Sequence, residues 1–516
     1  MTFRVSAGSS DPASRADRIS FPSGPVYVKI AVQTMTMTTR NQARGAETAQ
    51  AHSGTDAGPT RARMRDLLSS PLRAAETRPV ATLTLVGVVF TIAYLIGVLG
   101  FPSGSGRVLN GDAIQYFAYV QSAVVDGDLD FSNDYRQLYG NTAPETNVWL
   151  RSRTPAGRVP NLMSVGPAIL WSPFYVAARL VLGAVEPGER AEALLHASVG
   201  VAGIFYATLG AWFTFWACAL LFPRRAAFWA TLVVWLAGPA IYYSSVSPAY
   251  SHATSFFAVA LFVYVWLRTR AAPGYGRTIL LGALAGLVAM VRWQDSLVLL
   301  LPVVEALVLV CRRQASVVAV TIKLALLVLT AGFVSAPQFL AWQAIYGTPL
   351  VMPQGAGFMV WTSPAILGVL FSLKRGLFSW TPALLPAVAG LPLVIRRDRL
   401  AGWSIVLVLA LSVYVNGAVQ DWWAGEAFGA RRFIGDGVFF ALGLSAVMAL
   451  PQVARRPGIV QWISVAAIAY NVLFLFQYQL FMRGMRDLVP YPETARQIFV
   501  DRLWLPFQLL LRWVSG

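Results

Sequence analysis

Residues 80–100 read VATLTLVGVVFTIAYLIGVLG, a run with no charged side chain. A helix of this length is about 30 Å long, which matches the hydrocarbon thickness of a bilayer. Ten further apolar runs follow, near residues 196–222, 226–245, 253–267, 278–292, 295–311, 317–337, 377–395, 401–417, 434–450 and 459–478. The sequence therefore predicts an all-α polytopic membrane protein with eleven transmembrane helices.

Composition and charge agree with this class. Of the 516 residues, 56% are hydrophobic and only 13% are charged, although the net charge is +17. The arginines form short clusters at every second connection between apolar runs, as in the cytosolic loops of membrane proteins. These clusters are Arg224 and Arg225; Arg268, Arg270 and Arg277; Arg312 and Arg313; Arg396, Arg397 and Arg399; and Arg455 and Arg456. The pattern argues against a nucleic-acid partner and predicts a cytosolic N-terminus.

This topology divides the chain into three segments. Residues 1–78 have the composition of a disordered cytosolic tail, and Met64 is an alternative start. Residues 79–480 form the transmembrane domain, which includes a long extracytoplasmic loop at 101–195. Residues 481–516 are predicted to be extracytoplasmic or interfacial. Within the loop, 161–183 contains Pro167 and Pro173, which favour a re-entrant or interfacial helix over a twelfth span.

The loop begins with an acidic and aromatic stretch, NGDAIQYFAYVQSAVVDGDLDFSNDY, at residues 110–135. On a helix starting at Asp112, one face carries Gln115, Tyr116 and Tyr119, and the opposite face is apolar. This pattern predicts an amphipathic helix that lies on the membrane, with its apolar face in lipid and its polar row facing a cavity of the protein.

Asp126, Asp128 and Asp130 alternate along the same stretch and are followed by Asn133 and Asp134. Oxygen ligands at this spacing suit a divalent cation such as Mg²⁺, Mn²⁺ or Ca²⁺. A solvated turn, in which the carboxylates cap local backbone groups, explains the pattern equally well.

Other polar groups lie on the predicted outer side, where lysine and arginine break the topological rule and so indicate function. Guanidinium and ammonium groups are what a lipid-linked phosphate requires. The alternative is that each cation meets a lipid headgroup or a carboxylate, and His252 alone fits a buried packing role. The set comprises Arg151, Arg153 and Arg158; Tyr250 and His252 of SPAYSH; Arg292 and Asp295 of RWQD; Lys374 and Arg375 of FSLKRGLFSWTP; and Asp421, Glu426, Arg431 and Arg432 of DWWAGEAFGARR.

The order of these motifs resembles the GT-C superfamily of polytopic membrane glycosyltransferases. An outer loop opening with NGD follows the first span, and SVGPAILWSPF, FPRR, GLFSWTP and a W-x-G-x-x-x-G-x-R pattern ending at Arg431 come after it. The chain is similar to the protein mannosyltransferase and aminoarabinose transferase group through a bacterial branch of that superfamily. It departs from the group because Asp112 has no second acidic residue beside it.

The resemblance implies transfer of a sugar from a polyprenyl-phosphate donor to a glycan, lipid or protein acceptor outside the bacterial plasma (inner) membrane. Asp112 is then the candidate general base. The candidate substrate-binding residues are Tyr116, Tyr119, His252, Arg292, Lys374, Arg375, Asp421, Glu426, Arg431 and Arg432. A transporter or flippase of lipid-linked sugars and a non-catalytic envelope scaffold are the alternatives. The scaffold predicts that the outer charges pair with one another and leave no open cavity.

Overall fold

The computed structural model describes residues 71–100, 108–139, 147–183, 188–482, 489 and 491–515. Within these ranges the chain is helical and forms no β-strand, apart from one isolated bridge between Met359 and Val419. In the part of the chain that the structure describes, seven helices are long and apolar enough to cross a membrane, and three shorter apolar helices accompany them. The prediction of an all-α polytopic membrane protein is confirmed, whereas the count of eleven spans stays a prediction.

The first half of the chain forms the outer-loop helices and the first long hairpins. In chain order they are α1 (Pro79–Gly100), α2 (Asp112–Gln121) with a π-helical turn (Ser122–Asp126), α3 (Ser132–Leu138), α4 (Val148–Arg151), α5 (Gly166–Leu182), α6 (Glu189–Leu221), α7 (Arg224–Leu236), α8 (Ala240–Ser245) and α9 (Ser251–Arg268).

The second half continues the bundle. It comprises α10 (Tyr275–Val291), a 3-10 helix (Trp293–Leu299) running into α11 (Leu300–Cys311), α12 (Val317–Val334), α13 (Ala336–Tyr346), α14 (Ile366–Phe371), α15 (Leu377–Trp380), α16 (Leu385–Ala389), α17 (Leu391–Arg397), α18 (Arg399–Ala418), α19 (Gly437–Met448), α20 (Pro451–Ala454), α21 (Pro457–Met482) and α22 (Arg502–Ser515).

Local sequence explains where these helices begin and break. The Asp398 side chain accepts a hydrogen bond from the Ala401 backbone N–H and so caps α18. The predicted span at 377–395 is instead split into α15, a 3-10 turn, α16 and α17, because Pro382, Pro386 and Pro392 each remove a backbone donor.

The main core lies between α6, α7, α9 and α19, where small residues allow close helix packing. At Gly443 of α19 the backbone of α16 comes so near that an added Cβ would collide with the carbonyl oxygen of Ala387. Close approach of this kind is a common way for helices to pack within a membrane.

The arginine clusters meet at one end of the bundle. Arg270 donates to both carboxylate oxygens of Asp398, at 2.6 and 3.2 Å. Arg397 donates through Nε to the Leu221 backbone oxygen at 3.0 Å. These contacts join the ends of α6, α9 and α17 and agree with the alternation read from the sequence. The residues of the candidate site lie at the other ends of α9 and α10.

The prediction that the apolar face of α2 enters lipid is wrong for the helix itself. Three residues of that face, Ile114, Phe117 and Ala118, are buried, whereas the fourth, Val124 in the following π-helical turn, is exposed. Helix α5 covers the buried residues, since Phe117 packs edge-on against Tyr175 at 5.5 Å between ring centroids. The helices of this loop therefore share a hydrophobic core with α6 and α13, and that core also contains Phe131.

Three predictions about segments of the chain stay predictions. Of the predicted tail at 1–78, residues 1–70 lie outside the described part of the chain. Helix α5 has 17 residues and contains Pro173, so it is about 25 Å long and shorter than an ordinary span. The C-terminal helix α22 packs against α21, and its exposed side includes Trp504 and Phe507. Neither feature fixes the position of these helices relative to a membrane.

Candidate active site

Asp112 and Arg431 form an ion pair at the end of the bundle opposite the arginine clusters. Nη1 of Arg431 donates to Oδ2 of Asp112 at 2.8 Å, and the two side chains are 16% and 33% exposed. Asp112 begins α2 immediately after Gly111, whose φ of +51° is a conformation that favours glycine. Among the described residues, Oδ1 of Asp112 has no hydrogen-bond partner, so one carboxylate oxygen is held and the other is free.

Aromatic rings surround this pair. The Arg431 guanidinium carbon lies 5.7 Å from the centroid of the Tyr250 ring, and the Tyr250 hydroxyl lies 3.0 Å from two oxygens of Asn110. Tyr250 thus links the start of α9 to the residue two positions before Asp112. Burial alone would lower the pKa of Arg431, but the Asp112 carboxylate and the neighbouring tyrosines raise it above its usual value. Arg431 is therefore a permanent cation.

A buried polar chain joins Tyr116 to the end of α10. The Tyr116 hydroxyl donates to Oγ of Ser251 at 2.8 Å, and Nη1 of Arg292 lies 3.2 Å from the same oxygen. Arg292 also contacts Nδ1 of His252 at 3.1 Å, and its Nε is 3.8 Å from Oδ2 of Asp295. Burial raises the pKa of Tyr116, so its hydroxyl stays a neutral donor. His252 is buried here, as the alternative for this residue predicted, yet it contacts Arg292 directly.

The loop at 421–430 holds the next two cations, Arg432 and Arg375, which lie outside it. Arg432 donates to a carboxylate oxygen of Asp421 at 2.6 Å and to its backbone oxygen at 2.9 Å. Arg375 is buried, donates through Nε to the Ala427 backbone oxygen at 3.0 Å and has a left-handed φ of +66°. Since few non-glycine residues adopt this conformation, the contact holds a strained turn in place.

Lys374 differs from the other cations of the site. Its ammonium nitrogen lies 4.0 Å from the centroid of the Trp423 ring, and its side chain is exposed. No described carboxylate lies within ion-pair distance of it, so an anion can reach this cation without displacing another one.

Two predicted site residues lie apart from these contacts. Tyr119 is buried against Phe131, with ring centroids 5.0 Å apart, and its hydroxyl has no hydrogen-bond partner among the described residues. Glu426 is exposed, and its backbone oxygen accepts a hydrogen bond from the Tyr478 hydroxyl at 3.3 Å. Of the remaining arginines predicted on this side, Arg158 lies 3.5 Å from Asp130.

The predicted cation site at Asp126, Asp128 and Asp130 is not formed. Across the part of the chain that the structure describes, no group of three or more acidic, histidine or cysteine side chains could hold a metal ion. Each carboxylate instead accepts local hydrogen bonds: Asp126 from Asn133, Asp128 from Ser122 and the Asp130 backbone, and Asp130 from Ser132. The geometry is that of a capped turn, the other interpretation of the spacing.

Two residues of the candidate site, Ser251 and Tyr243, were not predicted from the sequence. Ser251 joins Tyr116 to Arg292, and Tyr243 packs against the His252 ring at 4.6 Å between centroids. Ser251 lies inside the SPAYSH motif, so its position could have indicated a role. Tyr243 lies in an apolar run, where an aromatic side chain gives no functional signal.

No family model matches this sequence, and no curated protein matches it. Solved structures resemble the chain at low identity. One is ArnT from Cupriavidus metallidurans bound to undecaprenyl phosphate, with 14% identity and a TM-score of 0.47 over 84% of this chain and 76% of that chain. Another is the oligosaccharyltransferase from Archaeoglobus fulgidus in complex with Zn and sulfate, with 16% identity and a TM-score of 0.45 over 80% and 58%. The chemistry of this chain is therefore inferred from its own side chains.

The arrangement places the Asp112 carboxylate beside fixed positive charge. Contacts with Ser251, Asp112 and Asp421 hold Arg292, Arg431 and Arg432, respectively. Lys374 is exposed and lies against the Trp423 ring. Preorganised cations next to a carboxylate can stabilise a departing phosphate while a hydroxyl group loses its proton.

Proposed function

We propose that the protein is a glycosyltransferase that moves a sugar from a polyprenyl-phosphate-linked donor to an acceptor on the extracytoplasmic side of a bacterial plasma membrane. The observation that supports this proposal most is the contact between Asp112 and Arg431. This contact brings a cation and a carboxylate with one unbonded oxygen, which are 319 residues apart in sequence, to one end of an apolar helix bundle.

The proposed reaction is a single displacement at the anomeric carbon. The acceptor oxygen forms a bond to that carbon while the bond between the carbon and the phosphate oxygen breaks. Oδ1 of Asp112 takes the acceptor proton, and the bond electrons leave with the polyprenyl phosphate. The sugar configuration inverts, because attack and departure take place on opposite faces of the ring.

The cations have separate tasks in this proposal. Lys374 captures the donor phosphate, since it is exposed and has no carboxylate partner within the described ranges. Arg431 stays on Asp112 until that carboxylate takes the acceptor proton and then faces the developing negative charge on the phosphate, while Arg292 and Arg432 add positive potential from fixed positions. Arg375 is a positioning residue, because its bond to Ala427 holds the loop that leads to Arg431.

The scaffold alternative has support from the ion pairs. Asp112 with Arg431, Asp421 with Arg432 and Arg292 with Asp295 are the pairings that it predicts. Two features favour an enzyme. Asp112 remains one-third exposed with an unused oxygen, and Lys374 is unpaired with any described carboxylate. A scaffold needs neither.

Mass spectrometry of envelope glycans and lipid-linked sugars, from cells with and without the protein, tests the proposal. We expect the deletion strain to accumulate a lipid-linked sugar and to lose the matching glycan unit. The detergent-solubilised protein, supplied with that lipid and with the acceptor-containing envelope fraction of the deletion strain, should transfer the sugar and release the polyprenyl phosphate. A flippase fails the second test because transport breaks no bond between the sugar and the phosphate, and a scaffold fails it because it catalyses no reaction.

A further inference from the structure

An apolar cavity of about 500 Å³ lies at the arginine-rich end, away from the candidate active site. It is formed where three helices end, and its walls include Ala219 and Leu220 of α6, Leu393 of α17, and Ala446 and Ala449 at the end of α19. This volume falls within the range of about 300 to 1,000 Å³ that is typical of ligand pockets. The proposed glycosyl transfer makes no use of the cavity.

One cation, Arg397, also lines the cavity. Its Nε donates to the Leu221 backbone oxygen at 3.0 Å, which fixes the guanidinium beside the cavity walls. Among the described residues no carboxylate lies within ion-pair distance of Arg397, because the neighbouring Asp398 is held by Arg270. The remaining N–H groups of the guanidinium are therefore available to an anion.

The surroundings add positive charge. Arg224 follows the lining residue Pro223, and Arg396 precedes Arg397; both are exposed and neither pairs with a described carboxylate. Three helices present their C-terminal carbonyl groups here, which on their own would repel an anion. Arg397 satisfies one of those carbonyls, and the two further arginines outweigh the others.

We propose that this cavity binds an anionic phospholipid, with the phosphate on Arg397 and one acyl chain between the ends of α6, α17 and α19. The apolar walls exclude a fully water-soluble phosphate as the preferred ligand, because only an acyl chain gains free energy by covering them. Basic pockets between membrane helices bind acidic lipid headgroups by this combination of charge and apolar contact. The proposal depends on the cavity and its charges, and the glycosyltransferase function could fail without affecting it.

The test measures lipid binding to the purified full-length protein by native mass spectrometry. The protein, delipidated in mild detergent, is titrated with dioleoyl phosphatidylglycerol or with dioleoyl phosphatidylcholine. We expect one phosphatidylglycerol to bind, about fivefold or more tightly than phosphatidylcholine. Arg397→Gln should weaken phosphatidylglycerol binding about fivefold. Ala449→Phe fills the cavity without changing the charge and should weaken it more than about tenfold, since it excludes several methylene groups.

Matched controls separate a site from a charged surface. Arg399→Gln removes the same charge from an exposed residue that does not line the cavity, and it should change binding less than twofold. Ala219→Phe is a second cavity-filling variant for the case that Ala449→Phe does not fold, which thermal melting will show. Equal losses for Arg397→Gln and Arg399→Gln would overturn the proposal. So would unchanged binding to both folded filled variants, or competition by glycerol phosphate at equal concentration.

Discussion

Replacing Asp112 by Asn separates the chemical role of the carboxylate from its structural role. The amide has nearly the same size and still offers one oxygen to Arg431, but it cannot accept a proton at neutral pH. General-base catalysis is worth about 10²- to 10⁴-fold in rate. This corresponds to about 3 to 5 kcal/mol in the activation free energy.

The structural cost of the same change is smaller. An exposed ion pair contributes up to about 1 kcal/mol, and breaking a buried pair costs about 3 to 5 kcal/mol. Asp112 is 33% exposed and Arg431 is 16% exposed, so the pair lies between these limits. Because the amide oxygen keeps one hydrogen bond, we expect a loss of about 1 to 2 kcal/mol in folding free energy. Activity should therefore fall far more than the folded amount.

The assay follows release of polyprenyl phosphate from the accumulating lipid-linked sugar, and thermal melting in detergent follows stability. Asp421→Asn is the matched control, because it removes the carboxylate of a similar ion pair, with Arg432 at 2.6 Å. We expect the control to keep at least a tenth of the wild-type rate. If Asp112→Asn keeps that much as well, Asp112 is not the base. If both variants lose activity equally, the charge network is required and no single base is identified.

Four further predictions concern packing, titration, topology and metal. Gly443→Ala should lower the free energy of unfolding by about 1 to 3 kcal/mol in thermal melting, because the added Cβ would meet the Ala387 carbonyl. The control Gly458→Ala should be neutral, because open space surrounds Gly458. Burial, reinforced by Asp126 and nearby carboxylates, raises the pKa of Asp134 to about 7 from its usual 3.8. The folded protein therefore keeps a proton that the unfolded chain releases, so the free energy of unfolding should fall between about pH 4 and pH 7 and stay level above pH 7. Asp134→Asn should remove this fall in thermal melting scans, and an unchanged pH profile would contradict the prediction. A reporter fused after Arg313 should score cytosolic, and a periplasmic score would reverse the predicted orientation. Since local groups occupy the Asp126, Asp128 and Asp130 carboxylates, EDTA should leave the melting temperature unchanged; a decrease abolished by Asp128→Asn would restore the cation site.

Sequence periodicity predicted the helices well because a span needs a long apolar run. The alternation of the arginine clusters between connections also predicts which end of the bundle faces outward, and this orientation stays a prediction. Neither pattern could predict the pairing of Asp112 with Arg431, because helix order does not determine which ends are neighbours. The error at α2 has a similar origin. An apolar helix face looks the same in sequence whether lipid or protein covers it, and here Tyr175 of α5 covers Phe117.

Among the described residues, Arg431 and Arg432 are paired with carboxylates and Lys374 is not, and this difference suggests an order of events in the proposed reaction. Releasing Arg431 or Arg432 toward a phosphate means separating each from a carboxylate that lies 2.6 to 2.8 Å away in a partly dry site. Lys374 gives up only its contact with the Trp423 ring, worth about 0.5 to 1 kcal/mol at an exposed position. A donor phosphate therefore meets Lys374 at the lowest cost. The arginines then act as the phosphate gains charge and Asp112, on taking the acceptor proton, loses its hold on Arg431. In this scheme the same proton transfer that activates the acceptor frees a guanidinium for the leaving group, which explains why an enzyme would pair its base with a cation.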